Sequence, residues 1–245
     1  MNSVKMAWSC LALLAVPSAG FAKMTAPAGG ADSGEIVVTA EKRISEFDAL
    51  KTPHVVLIKR ADNLITEVSV VCDTRDPTLR RAELKETLRA LIRAAAQDHT
   101  VALGLGDDVV GGFDDTMLDA VIEPDRRADT SHATVLIKTA VSASDTFDAA
   151  SGRITSFIKR TPKAGRTEIL RENDWNLTIV GPERNRPALT ALIAEDAKRT
   201  AAPFGAGYGY ALDGLQLPIA WYQSGPLDLA LYISYRLQVV PLVGH

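Results

Sequence analysis

Cysteine is nearly missing from this chain. Of its 245 residues only Cys10 and Cys72 are cysteines, and Cys10 lies in a leading segment with the marks of an export signal. A mature chain with one thiol has no intramolecular disulfide framework. Cys72 stands in the strand-like EVSVVCD beside Asp73 rather than beside a cation, which predicts a small buried hydrophobe and not an activated nucleophile. Histidine is equally sparse. His54, His99, His132 and His245 are not paired at helical metal-ligand spacing, and H-E-x-x-H, C-x-x-C and G-x-S-x-G do not occur. Zinc-hydrolase and serine-hydrolase signatures are thereby excluded. The stretch GLGDDVVGG lacks the Gly-Lys-Ser/Thr of a phosphate loop, and GAGYGYALDG follows a helical pattern instead of a strand. Both read as turns that use glycine for its backbone freedom, and no cofactor is expected.

A basic surplus is absent too. With 27 Lys and Arg against 30 Asp and Glu the net charge is −3, which leaves no electrostatic footprint for nucleic acid. After the first segment no apolar run is long enough to span a bilayer as a helix, so the mature chain should carry no transmembrane helix. No repeat with a period of 20 to 50 residues is visible.

What is present begins with MNSVKMAWSCLALLAVPSAGFA. Lys5 supplies a short basic region, Met6 to Val16 an apolar one, and Gly20-Phe21-Ala22 a small-x-small cleavage pattern. Residues 1–22 are expected to be a cleaved signal peptide, whose loss removes Lys5 and moves the net charge from −3 to −4. Residues 23–52 are rich in Ala, Gly, Ser and charge, and predict a flexible arm around one β-prone run, Ile36 to Thr39.

Residues 53–243 predict a single α+β domain: an antiparallel sheet with helices packed on one face. HVVLIKR and LITEVSVVCDT, separated by Ala61-Asp62-Asn63, suggest a hairpin. Asp76 as N-cap and Pro77 at the first turn open a helix with Leu84, Leu88, Leu91, Ile92 and Ala95 on one face. A Gly- and Asp-rich loop follows, with a short helix from Asp114, and then the strand HATVLIKTAVS. Asp145 is expected to start a helix bearing Phe147, Ala150, Ile154, Phe157 and Ile158. After the short strand DWNLTIVG, a helix from Asn185 or Pro187 presents Leu189, Leu192, Ile193 and Ala197, and closes near Phe204-Gly205. The period-two run from Leu227 to Val239 predicts one long strand, the spine of the sheet, buried under the helices bearing Leu88 and Leu192.

The acidic residues Asp107, Asp108, Asp114, Asp115 and Asp119 have the hard oxygen ligands that suit Ca²⁺ or Mg²⁺. They lack the D-x-D-x-D-G rhythm, and Asp114 and Asp115 also suit a helix start, so the segment reads as a solvated loop rather than a metal site. Trp175, Trp221 and Tyr222 read as core or interface aromatics.

Three stretches carry a family resemblance. DWNLTIVGPERNRPALTALIAEDAKRTAAPFGAGYG, LDLALYISYRLQVV and RDPTLRRAELKETLRALIRAA resemble the strand-turn-helix segment, long terminal strand and first helix of the SIMPL-domain family of bacterial periplasmic and outer-membrane-associated proteins. The likeness covers most of the mature chain. It departs at Lys59 to Asn63, where that family usually has glycines. The resemblance implies no catalytic residues and, from the ring-like oligomers of some members, self-association. A second, local resemblance is that of GEIVVTAEKR to the TonB box of TonB-dependent outer-membrane receptors. It implies that Glu35, Ile36, Val37, Val38 and Thr39 could bind an envelope partner by strand addition. The expectation is therefore a non-enzymatic protein, periplasmic or outer-membrane-associated, acting by assembly or partner binding. The alternative is an accessory or truncated relative of TonB-dependent transport.

Overall fold

This computed structural model describes residues 35–38, 55–106, 110–172 and 174–242. Thirteen strands lie among them: β1 (Glu35–Val38), β2 (Leu57–Arg60), β3 (Asn63–Cys72), β4 (Val101–Leu105), β5 (Gly111–Gly112), β6 (Ile122–Pro124), β7 (Ser131–Ala140), β8 (Thr167–Arg171), β9 (Asn176–Val180), β10 (Tyr208–Asp213), β11 (Ala220–Gln223), β12 (Asp228–Tyr232) and β13 (Arg236–Pro241). The helices are α1 (Pro77–Gln97), α2 (Leu118–Val121), α3 (Phe147–Arg160) and α4 (Arg186–Ala201). The α+β class holds: antiparallel sheets carry the helices packed against them.

The eight-stranded sheet runs β1-β9-β3-β7-β4-β5, with β8 beside the second half of β3 and β6 beside the start of β7. Its spine is the ten-residue pair β3–β7, in register from Asn63↔Ala140 to Cys72↔Ser131. Along β7 the residues Ala133, Val135, Ile137 and Thr139 are buried, while the intervening ones are half-exposed. That alternation is what a strand with one covered face requires.

The cover on that face is α1 and α3. Asp76 caps α1, its carboxylate accepting from the Leu79 N–H at 2.8 Å, and Pro77 costs nothing in a turn whose N–H has no helical partner. Leu84, Leu88 and Leu91 recur on one face, and all three are fully buried with Val68, Val70 and Cys72. Ile154, Phe157 and Ile158 of α3 enter the same core. Thr146 caps α3, accepting from the Ala149 N–H; Asp145, expected there, instead accepts from the Ser142 N–H and from Arg153. Lys159 and Arg160 occupy the last turn, where cations complement the helix dipole.

A second core forms where β12 and its neighbours cover the other end of the sheet. Leu64, Leu177 and Ile179 meet Leu189 and Ile193 of α4, and Leu227, Leu229, Leu231 and Ile233. Trp175 packs against both cores, and Trp221 against the second.

Four expectations are corrected. First, β2 and β3 are not a hairpin. β2 pairs with β12 in a three-stranded sheet β11-β12-β2, and β3 lies in the large sheet. Ala61 and Asp62 carry the chain across: the Ala61 N–H donates to the Leu227 carbonyl and the Asp62 N–H to the Thr178 carbonyl. A crossing needs no turn glycine, which accounts for Lys59 to Asn63 lacking them. Second, Leu227 to Val239 is two strands broken at Ile233-Ser234-Tyr235, β12 in the three-stranded sheet and β13 in a ribbon with β10. Its first half is buried under α4, not under the helix of Leu88, and the spine is β3–β7. Third, Leu192 faces outward on α4, 37% exposed. Fourth, Glu35–Val38 pairs antiparallel with β9, from Glu35↔Val180 to Val38↔Leu177, as the terminal strand of the large sheet and not as a segment outside it. The rest of the arm, with Thr39, lies outside the described residues, as do the expected signal segment and its Cys10.

Candidate interaction surface

Of the large apolar side chains exposed among the described residues, Phe204, Tyr208 and Leu242 lie at one end of the ribbon β10–β13. It is a two-stranded sheet, so among the described residues each strand keeps one unpaired edge. One side rests on α4, and Leu212 reaches the second core. Its tip is built by the end of α4. After Ala201 a 3₁₀ turn, Ala202–Phe204, ends at Gly205, whose φ of 90° suits glycine, and the chain turns into Tyr208. The Leu242 N–H donates to the Gly207 carbonyl at 2.8 Å, laying Leu242 over Gly209. Phe204 and Tyr208 pack ring to ring at 6.1 Å. Phe204, Tyr208 and Leu242 are 57, 46 and 59% exposed, so one end of a ribbon with open edges carries the Phe204–Tyr208 pair and, on the face of Gly209, Leu242. Exposed apolar side chains beside open strand edges are the features by which a surface of this kind pairs with another chain.

Sequence reasoning did not single these three out, reading Phe204-Gly205 only as a helix end. The available signal was the run of aromatics around Gly205 and the Pro241-Leu242 end. Their exposure, however, is a tertiary property.

The acidic segment has a different role. Asp114 accepts from the Thr116 N–H at 2.9 Å and from its hydroxyl at 2.5 Å, capping the 3₁₀ turn Asp115–Met117. Asp119 is held by Lys85 at 2.5 Å and Arg81 at 2.7 Å, and Asp115 lies 3.8 Å from Arg89. The basic stripe Arg81, Lys85, Arg89 recurs every four residues on α1, and the acids lie along it. Lys85, and then Arg81, hold the Asp119 carboxyl below its usual range. Asp107 and Asp108 lie outside the described residues, and no group of three metal-ligating side chains occurs among the described ones. Asp115 and Asp119 thus lie against cations, and Asp114 is engaged as a cap by Thr116. Asp119→Asn is expected to lower the melting temperature slightly, by an amount that shrinks with added NaCl as exposed pairs are screened. Millimolar Ca²⁺ should leave the melting temperature unchanged; a rise of several degrees, lost on Asp114→Asn, would overturn this assignment.

Cys72 is fully buried, and its thiol donates to Glu83 at 3.2 Å. The same Glu83 oxygen accepts from the Thr74 hydroxyl at 2.5 Å and the Arg166 N–H at 3.3 Å. With Thr74 foremost and Cys72 next, these donors hold the Glu83 carboxyl below its usual range. The carboxylate is occupied in joining β3, α1 and the turn before β8, and the thiol has no access to a reactant. No α-helix among the described residues is long and apolar enough to cross a membrane. Neither the family models nor the curated protein sequences contain a match to this chain.

Proposed function

We infer that the chain is an exported cell-envelope protein, periplasmic or outer-membrane-associated, that acts without catalysis by associating with itself through the β10–β13 ribbon. The observation that carries this reading is the exposed Phe204–Tyr208 pair, with exposed Leu242 at the same ribbon end, beside unpaired strand edges. The SIMPL-type resemblance of the sequence supports it, as do the signal-like residues 1–22. Strand edges supply backbone donors and acceptors, and the Phe204–Tyr208 pair supplies the desolvated anchor that aromatic side chains give an interface.

The test is the native mass of residues 23–245 by light scattering. A multiple of the chain mass is expected, falling to the monomer in the double variant Phe204→Ser, Leu242→Ser with its circular dichroism unchanged. A wild-type monomer at about 100 μM, a concentration at which even weak interfaces populate, would sink the reading. If that monomer bound a TonB C-terminal domain through residues 23–52, the reading based on Glu35 to Thr39 would take its place. Export itself predicts that periplasmic material begins at Lys23 on N-terminal sequencing.

A further inference from the structure

On the sheet face turned away from α1 and α3, the β3–β8 pair forms one wall of a cleft of about 370 Å³. Side chains alternate between the two faces. Cys72 and Ile169 enter the core, so Val71 and Leu170 lie on the opposite face and form the apolar floor. Leu170 is 46% exposed there. The rim is charged in both signs. Arg166 gives Nε and Nη2 to Asp73 at 2.6 and 2.7 Å, and Arg127 gives the same two nitrogens to Asp125 at 3.4 and 3.0 Å. Among the described residues Nη1 of each guanidinium makes no hydrogen bond, and both side chains are about two-thirds exposed. Glu168, the cross-strand partner of Val71, is exposed and has no ion pair among the described residues.

We propose that this cleft binds a short zwitterionic peptide with an apolar side chain. The carboxylate is taken by Arg127 and Arg166, the ammonium by Glu168, and the side chain by Leu170 and Val71. The lining chooses this class over its neighbours. A phosphate ester carries two negative charges toward Asp73 and Glu168, and like charges repel. A hydrocarbon would desolvate two guanidiniums and a carboxylate without replacing their water. A molecule with one charge of each sign around an apolar body satisfies all of them. Arginine also presents planar paired donors, which match a carboxylate. The site is separate from the β10–β13 ribbon, and its test does not depend on assembly.

The experiment is calorimetric titration of the full mature chain with the dipeptide alanyl-leucine, its N-acetyl form and its C-terminal amide. Saturable binding of the free dipeptide is expected, with each capped form weaker by about fivefold, the scale of one exposed ion pair. Glu168→Gln should weaken the free dipeptide by a similar factor and leave the N-acetyl form unchanged. Arg127→Ala should do the same with respect to the amide. Both positions are exposed, so the variants should melt with the wild type, and equal melting curves establish that they fold. No saturation up to about 10 mM, the weak limit for a ligand of this size, would overturn the proposal. So would affinities indifferent to both caps and both substitutions.

Discussion

Leu231→Ala is expected to lower the unfolding free energy by about 2–5 kcal/mol, the range for a buried leucine truncated to alanine. Gln238→Ala, seven residues on in the same period-two run, should change it by less than about 0.5 kcal/mol. Leu231 is fully buried. It lies on the central strand of its sheet, paired with Trp221 on β11 and Leu57 on β2, and shares the second core with Leu189 and Ile193 of α4. Removing its side chain opens a void between two sheets and a helix, elements that cannot all close in together. Gln238 is exposed on the ribbon, opposite Ala211. Urea titration reads both. A midpoint shift confined to Leu231→Ala fits the burial of β12 in the second core, whereas equal small losses would contradict it.

The reason that division escapes a reading of the sequence is visible in the same residues. Burial alternates straight through the break: Leu231 and Ile233 are buried, Ser234 is exposed, Tyr235 half-buried, Arg236 exposed. Hydrophobic period reports which face is covered, and it is blind to a strand changing sheets with its parity kept. At the break the backbone of Ser234 and Tyr235 packs against Gly214, φ 95°, where a Cβ would meet the Ser234 carbonyl oxygen. That contact spans some twenty residues of sequence and leaves no local mark beyond one glycine. The β2–β3 crossing has the same character. The Asp62 carboxylate accepts from the Val180 N–H and from Arg184, both at 2.8 Å, partners 118 and 122 residues distant. The helices, by contrast, are written locally. Asp76-Pro77 and the Leu84, Leu88, Leu91 spacing define α1, and Ala150, Ile154, Phe157 and Ile158 define the buried face of α3. The acidic segment was legible only in its spacing; that it lies along Arg81, Lys85 and Arg89 needed the fold. Phe204, Tyr208 and Leu242 have the composition of core residues, and the sequence holds nothing that says they stay outside.

Gly165→Ala should destabilise the chain by about 2–4 kcal/mol and also remove part of its acid sensitivity. The first cost is conformational: Gly165 has φ 52°, and an L residue in the left-handed region costs about 1–2 kcal/mol. The second is steric. A Cβ at this position would overlap the Glu83 carboxyl group, closer than van der Waals contact permits. Glu83 must then give up a position in which one oxygen accepts from Thr74, Cys72 and the Arg166 N–H. Thr74 and Cys72 are themselves buried, and a buried donor left without an acceptor costs about 1–3 kcal/mol. The pH dependence follows from the sign of the shift. Those donors depress the folded-state pKa of Glu83, so its contribution is fully present above the unfolded value, about 4.3. It is lost as pH falls through the lower, folded value. Wild-type stability should therefore fall below about pH 4.3. Part of that fall should be missing in Glu83→Gln, which cannot ionise, and in Gly165→Ala, which displaces the carboxylate. Other depressed carboxylates, Asp73 and Asp98 among them, keep the remainder in all three proteins. Urea midpoints measured from pH 3 to pH 7 on the three proteins decide the matter. Parallel curves would mean that Glu83 does not hold this junction, whereas curves that converge toward low pH fit a carboxylate that joins β3, α1 and the turn before β8.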